Sequence, residues 1–84
     1  MSETTLNGHE RLSEVDPGSR VRVVAVAEDD GNQRLLEMGL VPGTPLEVAR
    51  RAPFGGPLLI RVRGGMLAID RDWARAVAVE SAAA

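Results

Sequence analysis

From residue 12 to residue 80 the apolar positions fall into short runs whose spacing changes repeatedly. In "SRVRVVAVAE", Val21 and Val23 alternate with Arg20 and Arg22, the two-residue period of a half-buried strand. Val24 and Val26 continue on the opposite parity, which predicts a bulge or a strand end buried on both faces. "EDDGN" interrupts the run, and Asn32 is suited to cap a helix by accepting from its free first-turn N–H groups. "QRLLEM" supplies good helix formers and sets Leu35 and Met38 three apart on one face. Leu36 is its remaining apolar residue, and Gly39 stands where a left-handed residue would end the helix. A helix of about two turns is unstable unless it docks on something.

Pro42 and Gly43 predict a type II turn, with proline fixing φ at its second position and glycine giving positive φ at its third. Leu46 and Val48 then alternate with Pro45, Glu47 and Ala49, a strand whose early proline suits its start or an edge. "RRAPFGGP" reads as a loop. In "LLIRVR", Leu58, Ile60 and Val62 share one face and Arg61 and Arg63 the other. Gly64-Gly65 reads as a two-residue hairpin turn. "MLAI" returns with Leu67 and Ile69 inward, and "DRDWARA" makes one helical turn, with Asp70 as its candidate cap and Trp73 over one end of the core. "VAVE" closes with Val77 and Val79 inward. The pattern predicts a mainly β fold: a small barrel of about five strands, one short helix between the first and second, and a helical turn before the last. Closure would hide the edges that an open sheet exposes. Residues 1–11 read as a flexible N-terminal tail, 12–80 as the barrel domain, and 81–84 as a flexible C-terminus.

Composition narrows the function more than it narrows the fold. The chain has 84 residues and no Cys, so neither a disulfide nor thiolate chemistry is available. That suits a cytoplasmic protein. The polar, acidic N-terminus carries no signal-peptide pattern, and the apolar runs fall far short of a membrane span. A net charge of −2 argues against nucleic acid as a partner. All ten basic residues are Arg; Arg50, Arg51, Arg61 and Arg63 could cluster if their strands pair, though a solvated sheet face is the simpler expectation. With only Phe54 and Trp73 as aromatics, neither a Pro-rich peptide groove nor a base-stacking platform can be built.

Catalytic chemistry is equally sparse. The single His9 lies in the expected tail, so no triad and no two-His-one-carboxylate iron site can be assembled within one chain. "EDDG" lacks the alternating oxygen ligands of a Ca²⁺ loop, and Met38 and Met66 read as core filler rather than soft ligands. No enzyme activity, cofactor or metal site is expected. Binding by surface remains. Leu35, Leu36, Met38 and Leu40 read mostly as core, but a two-turn helix has limited capacity to hide all four plus Val41, and one or two left partly exposed would form a contact patch; Phe54 is a large aromatic in a Gly-Pro loop. Leu36, Met38, Leu40, Val41 and Phe54 are the expected partner-binding set, with Gly39, Pro42, Gly43, Gly64 and Gly65 as structural turns.

The chain resembles the FeoA family. The matching residues are Leu12, Val15, Gly18, Val21 and Val23; the central "LLEMGLVPGT" with Leu46 and Val48; Ala52, Pro53, Gly55 and Pro57; Ile60, Val62 and Gly64; then Leu67, Ala68, Ile69, Ala74 and Val79. The central segment is the specific part. The resemblance implies an SH3-like barrel and a cytoplasmic, non-catalytic accessory protein of bacterial ferrous iron uptake. It implies as partner the FeoB-type membrane permease, through its cytosolic GTP-binding region, with Fe²⁺ transport modulated. The chain itself would not insert in the membrane and would be a monomer or weak homo-oligomer. The alternative is an SH3-like regulatory domain related to the C-terminal module of iron-dependent, diphtheria toxin repressor-like repressors.

Overall fold

The computed structural model describes residues 9–27 and 33–82. Its strands are β1 (Glu10–Arg11), β2 (Arg20–Val26), β3 (Pro45–Arg51), β4 (Leu58–Val62), β5 (Gly65–Ile69) and β6 (Val77–Ser81). Helix α1 (Gln33–Glu37) lies between β2 and β3, and α2 (Arg71–Ala74) precedes β6. All six strands join one sheet in the order β1-β6-β2-β3-β4-β5, and every pairing is antiparallel.

The mainly β class and the element order match the alternation in the sequence. The extra strand is β1, whose Glu10 and Arg11 pair with Val79 and Ala78. Two charged residues carry no readable period, so the sequence assigned both to the tail. A 3₁₀ turn at Leu12–Glu14 follows and buries Leu12 completely. At the other end, Ser81 pairs with Val21, and the Ala82 N–H donates to the Arg20 carbonyl at 3.1 Å. The ordered sheet therefore continues past residue 80. Asn32 and the "EDDGN" interruption lie outside the described residues, as do residues 1–8.

The sheet bends where its register slips. One slip lies between Val23 and Ala25, at the parity change in the β2 sequence, and a second lies between Val48 and Arg50 in β3. Extra residues in one strand sharpen local twist, which lets one sheet curl over one core. Val21, Val23, Leu46, Val48, Leu58, Ile60, Val62, Ile69, Val77 and Val79 meet in that core with Leu12, Val15, Leu35, Leu40 and Ala74. Trp73 packs against its margin. Among the described residues hydrogen bonding does not close the barrel: β1 and β5 stand at opposite ends of the strand order. Two edges remain where the sequence predicted closure.

Two smaller expectations also change. The β4–β5 turn is Arg63-Gly64, because Val62 pairs with Gly65 and both intervening residues have positive φ (54° and 79°). Gly65 is a strand residue. Placing an arginine in the left-handed region runs against residue preference, so the sequence pointed to the two glycines instead. Asp70 occupies the position before α2, but its side chain makes no cap bond.

Candidate partner-docking site

The segment "LLEMGLVPGT" builds a tight junction. The Gly39 N–H donates to the Leu36 carbonyl and the Leu40 N–H to the Leu35 carbonyl, both at 3.0 Å. With Gly39 at φ +98°, this is a Schellman ending. Leu35 and Leu40, the residues this ending links, are both fully buried in the core cluster. The chain then turns through Pro42-Gly43, where the Thr44 N–H donates to the Val41 carbonyl at 3.1 Å and Gly43 has φ +96°. Gly43 N–H to Val23 carbonyl (2.8 Å) and Val23 N–H to Thr44 carbonyl (2.9 Å) tie the turn to β2. The Gly39 carbonyl also accepts from the buried Thr44 hydroxyl at 3.2 Å and from the Arg63 guanidinium at 3.5 Å. Helix end, turn and β4–β5 hairpin thus meet at one carbonyl.

That junction decides which apolar residues a partner can touch. Leu36 stays exposed at 42% of its surface. Met38 and Val41 are half-buried, Met38 packing against the core. Leu40 is wholly buried and leaves the expected contact set: the Schellman turn drives it inward against Leu35. Met66, read as core filler, is instead 48% exposed, because the true turn at Arg63-Gly64 puts it on the outer face opposite Arg61.

Phe54 stands apart. It is fully exposed (103%) and sits at φ +60°, followed by Gly55 at φ +76°. The Gly56 N–H closes this turn on the Pro53 carbonyl at 3.2 Å, and the Ala52 N–H reaches the Pro57 carbonyl at 3.0 Å. Gly56 is needed here, since a Cβ on it would fall 2.8 Å from the Ala52 Cβ. Arg71 braces the loop from α2: its Nε and Nη2 donate to the Gly56 carbonyl (3.3 and 3.1 Å) and Nη2 to the Ala52 carbonyl (3.4 Å). Under the loop runs a shallow apolar groove of about 220 Å³, lined by Pro53, Pro57, Leu59 and Ala68 among others. Phe54 is therefore a large apolar tip on a braced base.

The expected contact residues do not form one patch. In the pairing of β3 with β4, Glu47 lies opposite Arg61 and Arg51 opposite Leu58. This register puts the α1 junction at one end of the two strands and Phe54 at the other, roughly 20 Å away at 3.3 Å per residue. The arginines disperse as well. Arg51 donates to the Val15 carbonyl at 3.2 Å, Arg61 pairs with Glu47 at 3.2 Å, Arg63 turns to Gly39, and Arg50 lies exposed opposite Leu59. Among the described residues no three His, Cys, Asp or Glu side chains converge on a possible metal position, and no helix is long and apolar enough to cross a membrane. Sequence reasoning missed the bracing role of Arg71, whose carbonyl partners carry no side-chain signal.

A curled antiparallel sheet with a docked helix, an apolar core and exposed loop tips defines a small, mainly β barrel module. The comparisons make this specific. The FeoA domain model matches residues 10–81, and the chain belongs to the FeoA family. FeoA of Chlorobium tepidum is 36% identical, with 88% of this chain and 71% of that one covered and a TM-score of 0.79. A FeoA-like protein of Clostridium acetobutylicum is 30% identical, with 90% of each chain covered and a TM-score of 0.83. FeoA of Stenotrophomonas maltophilia, solved with zinc and described as a prokaryotic SH3 domain protein, is 29% identical, with 84% of this chain and 89% of that one covered and a TM-score of 0.73. No curated protein matches the chain.

Proposed function

We propose that this chain is a non-catalytic accessory protein of ferrous iron transport, acting in the cytoplasm on a FeoB-type permease. Family membership supports the transport role, and the S. maltophilia relative is described as a candidate activating factor for bacterial ferrous iron transport. The observation that carries a docking mechanism is Phe54: a fully exposed aromatic held at positive φ on a loop braced by Arg71. Strain of this kind persists where surrounding structure enforces it and collects at functional positions. Rigid aromatics that fill a partner's pocket contribute disproportionately to binding. Leu36, with half-buried Met38 and Val41, offers a second, smaller contact at the far end of β3 and β4.

A module without catalysis modulates its partner only by binding two of the partner's states unequally. For a permease with a GTP-binding region, the nucleotide supplies those states. The test is a calorimetric titration of this chain into that purified region, once with GDP and once with a GTP analogue. Affinity that differs between nucleotides is the expected result. Equal affinity would remove control of the GTPase cycle, and no binding to the region or to the full permease in membranes would remove the adaptor reading.

A further inference from the structure

The two sheet edges are built differently, and the difference points to a second copy of this chain. Edge strand β1 has two residues, both charged, which blunts it against further pairing. Edge strand β5 runs for five residues, Gly65–Ile69, with no charge, no proline and no register slip against β4. Val62 and Gly65 flank a two-residue turn and so form a hydrogen-bonded pair. Alternation along the ladder then makes Ile60–Leu67 and Leu58–Ile69 hydrogen-bonded pairs as well. The N–H and C=O groups of Met66 and Ala68 point away from β4, and no other described backbone group bonds to them.

We infer that β5 pairs antiparallel with β5 of a second copy, about a two-fold axis at Leu67, forming a transient homodimer. The free groups are self-complementary in this register. Met66 of one copy faces Ala68 of the other, and each such pair exchanges two N–H···O=C bonds. Side chains of directly opposed residues share a face, so the exposed Met66 of each copy comes beside Ala68 of its mate. Ala68 lines the apolar groove with Pro53, Pro57 and Leu59. The exposed Met66 thus fits an apolar hollow that the same chain provides. A five-residue edge buries little area, which places the interface in the weak, transient class.

The test is amide hydrogen exchange of the full chain alone, followed by NMR up to about 1 mM, with sedimentation over the same range. Protection of the Met66 and Ala68 amides that rises with concentration, in step with dimer mass, is the expected result. Ala68→Pro removes an N–H that β4 does not use, and Met66→Lys puts charge on the edge at an exposed position. Each acts twice across the axis and should weaken association at least about tenfold. Free exchange of both amides at every concentration overturns the inference. So does protection independent of concentration, which would assign the edge to the chain itself, and so does a dimer that survives both variants. No permease component is present, so this outcome is separate from that of the docking reading.

Discussion

The β3–β4 and β4–β5 hairpins make the same unusual turn and treat its central side chain in opposite ways. Each places a large residue at positive φ, followed by a glycine also at positive φ: Phe54-Gly55 in one, Arg63-Gly64 in the other. Arg63 folds onto the end of α1 and donates to the Gly39 carbonyl. Phe54 folds onto nothing and is fully exposed. The backbone strain is alike; only at Arg63 does a contact within the chain offset it. The Arg63 turn is tied into the fold, and the Phe54 turn presents its side chain at the surface.

Substitutions can break this contrast, and the largest effects belong to the anchored end. Leu40→Ala should lower stability by about 2–5 kcal/mol in denaturant unfolding, because it opens a cavity in the core beside Leu35. Leu36→Ala, four residues earlier and exposed, should change stability by less than about 0.5 kcal/mol. Equal losses at both would show that α1 is not docked as described. Next comes the junction glycine. In Gly39→Ala the new Cβ meets the Arg63 Nε at 3.0 Å and the backbone stays at φ +98°. At Gly43 an added Cβ meets no atom within 4 Å, so Gly43→Val should cost chiefly conformational strain, about 1–3 kcal/mol by thermal unfolding. If the Gly43 variant kept full stability and partner affinity, the turn would have no structural task. The smallest effect is the sharpest. Phe54→Gly and Arg63→Gly relieve the same strain and add the same unfolded-chain freedom, so their difference isolates the side-chain contact. Arg63→Gly should be the less stable by about 1 kcal/mol, the worth of one ordinary hydrogen bond.

The sequence revealed most where chemistry and period agreed. The alternation in β2, β3 and β4 located the core face, and the parity change near Val24 announced the β2 bulge. Gly39 and Pro42-Gly43 were legible because glycine tolerates positive φ and proline fixes the position before it. The hairpin turn was misplaced by one residue, since Arg63 adopts a conformation that its side chain ordinarily disfavours. Leu40 was placed in the expected contact set because the sequence marked Gly39 as the helix end without showing which way the chain leaves it, and the bond from the Leu40 N–H to the Leu35 carbonyl accompanies its full burial. The pair β1 and the brace Arg71 rest on backbone partners distant in the chain, and no local pattern encodes those.

The most direct test of the account compares the chain with its Phe54→Gly variant, each titrated into the GTP-binding region of the cognate permease by calorimetry after both are shown to unfold alike. The account predicts unchanged stability to within about 1 kcal/mol and an affinity at least about 30-fold lower, the loss of one central aromatic anchor. Undiminished affinity in a stable variant would contradict it and leave the exposed aromatic tip without the role assigned to it.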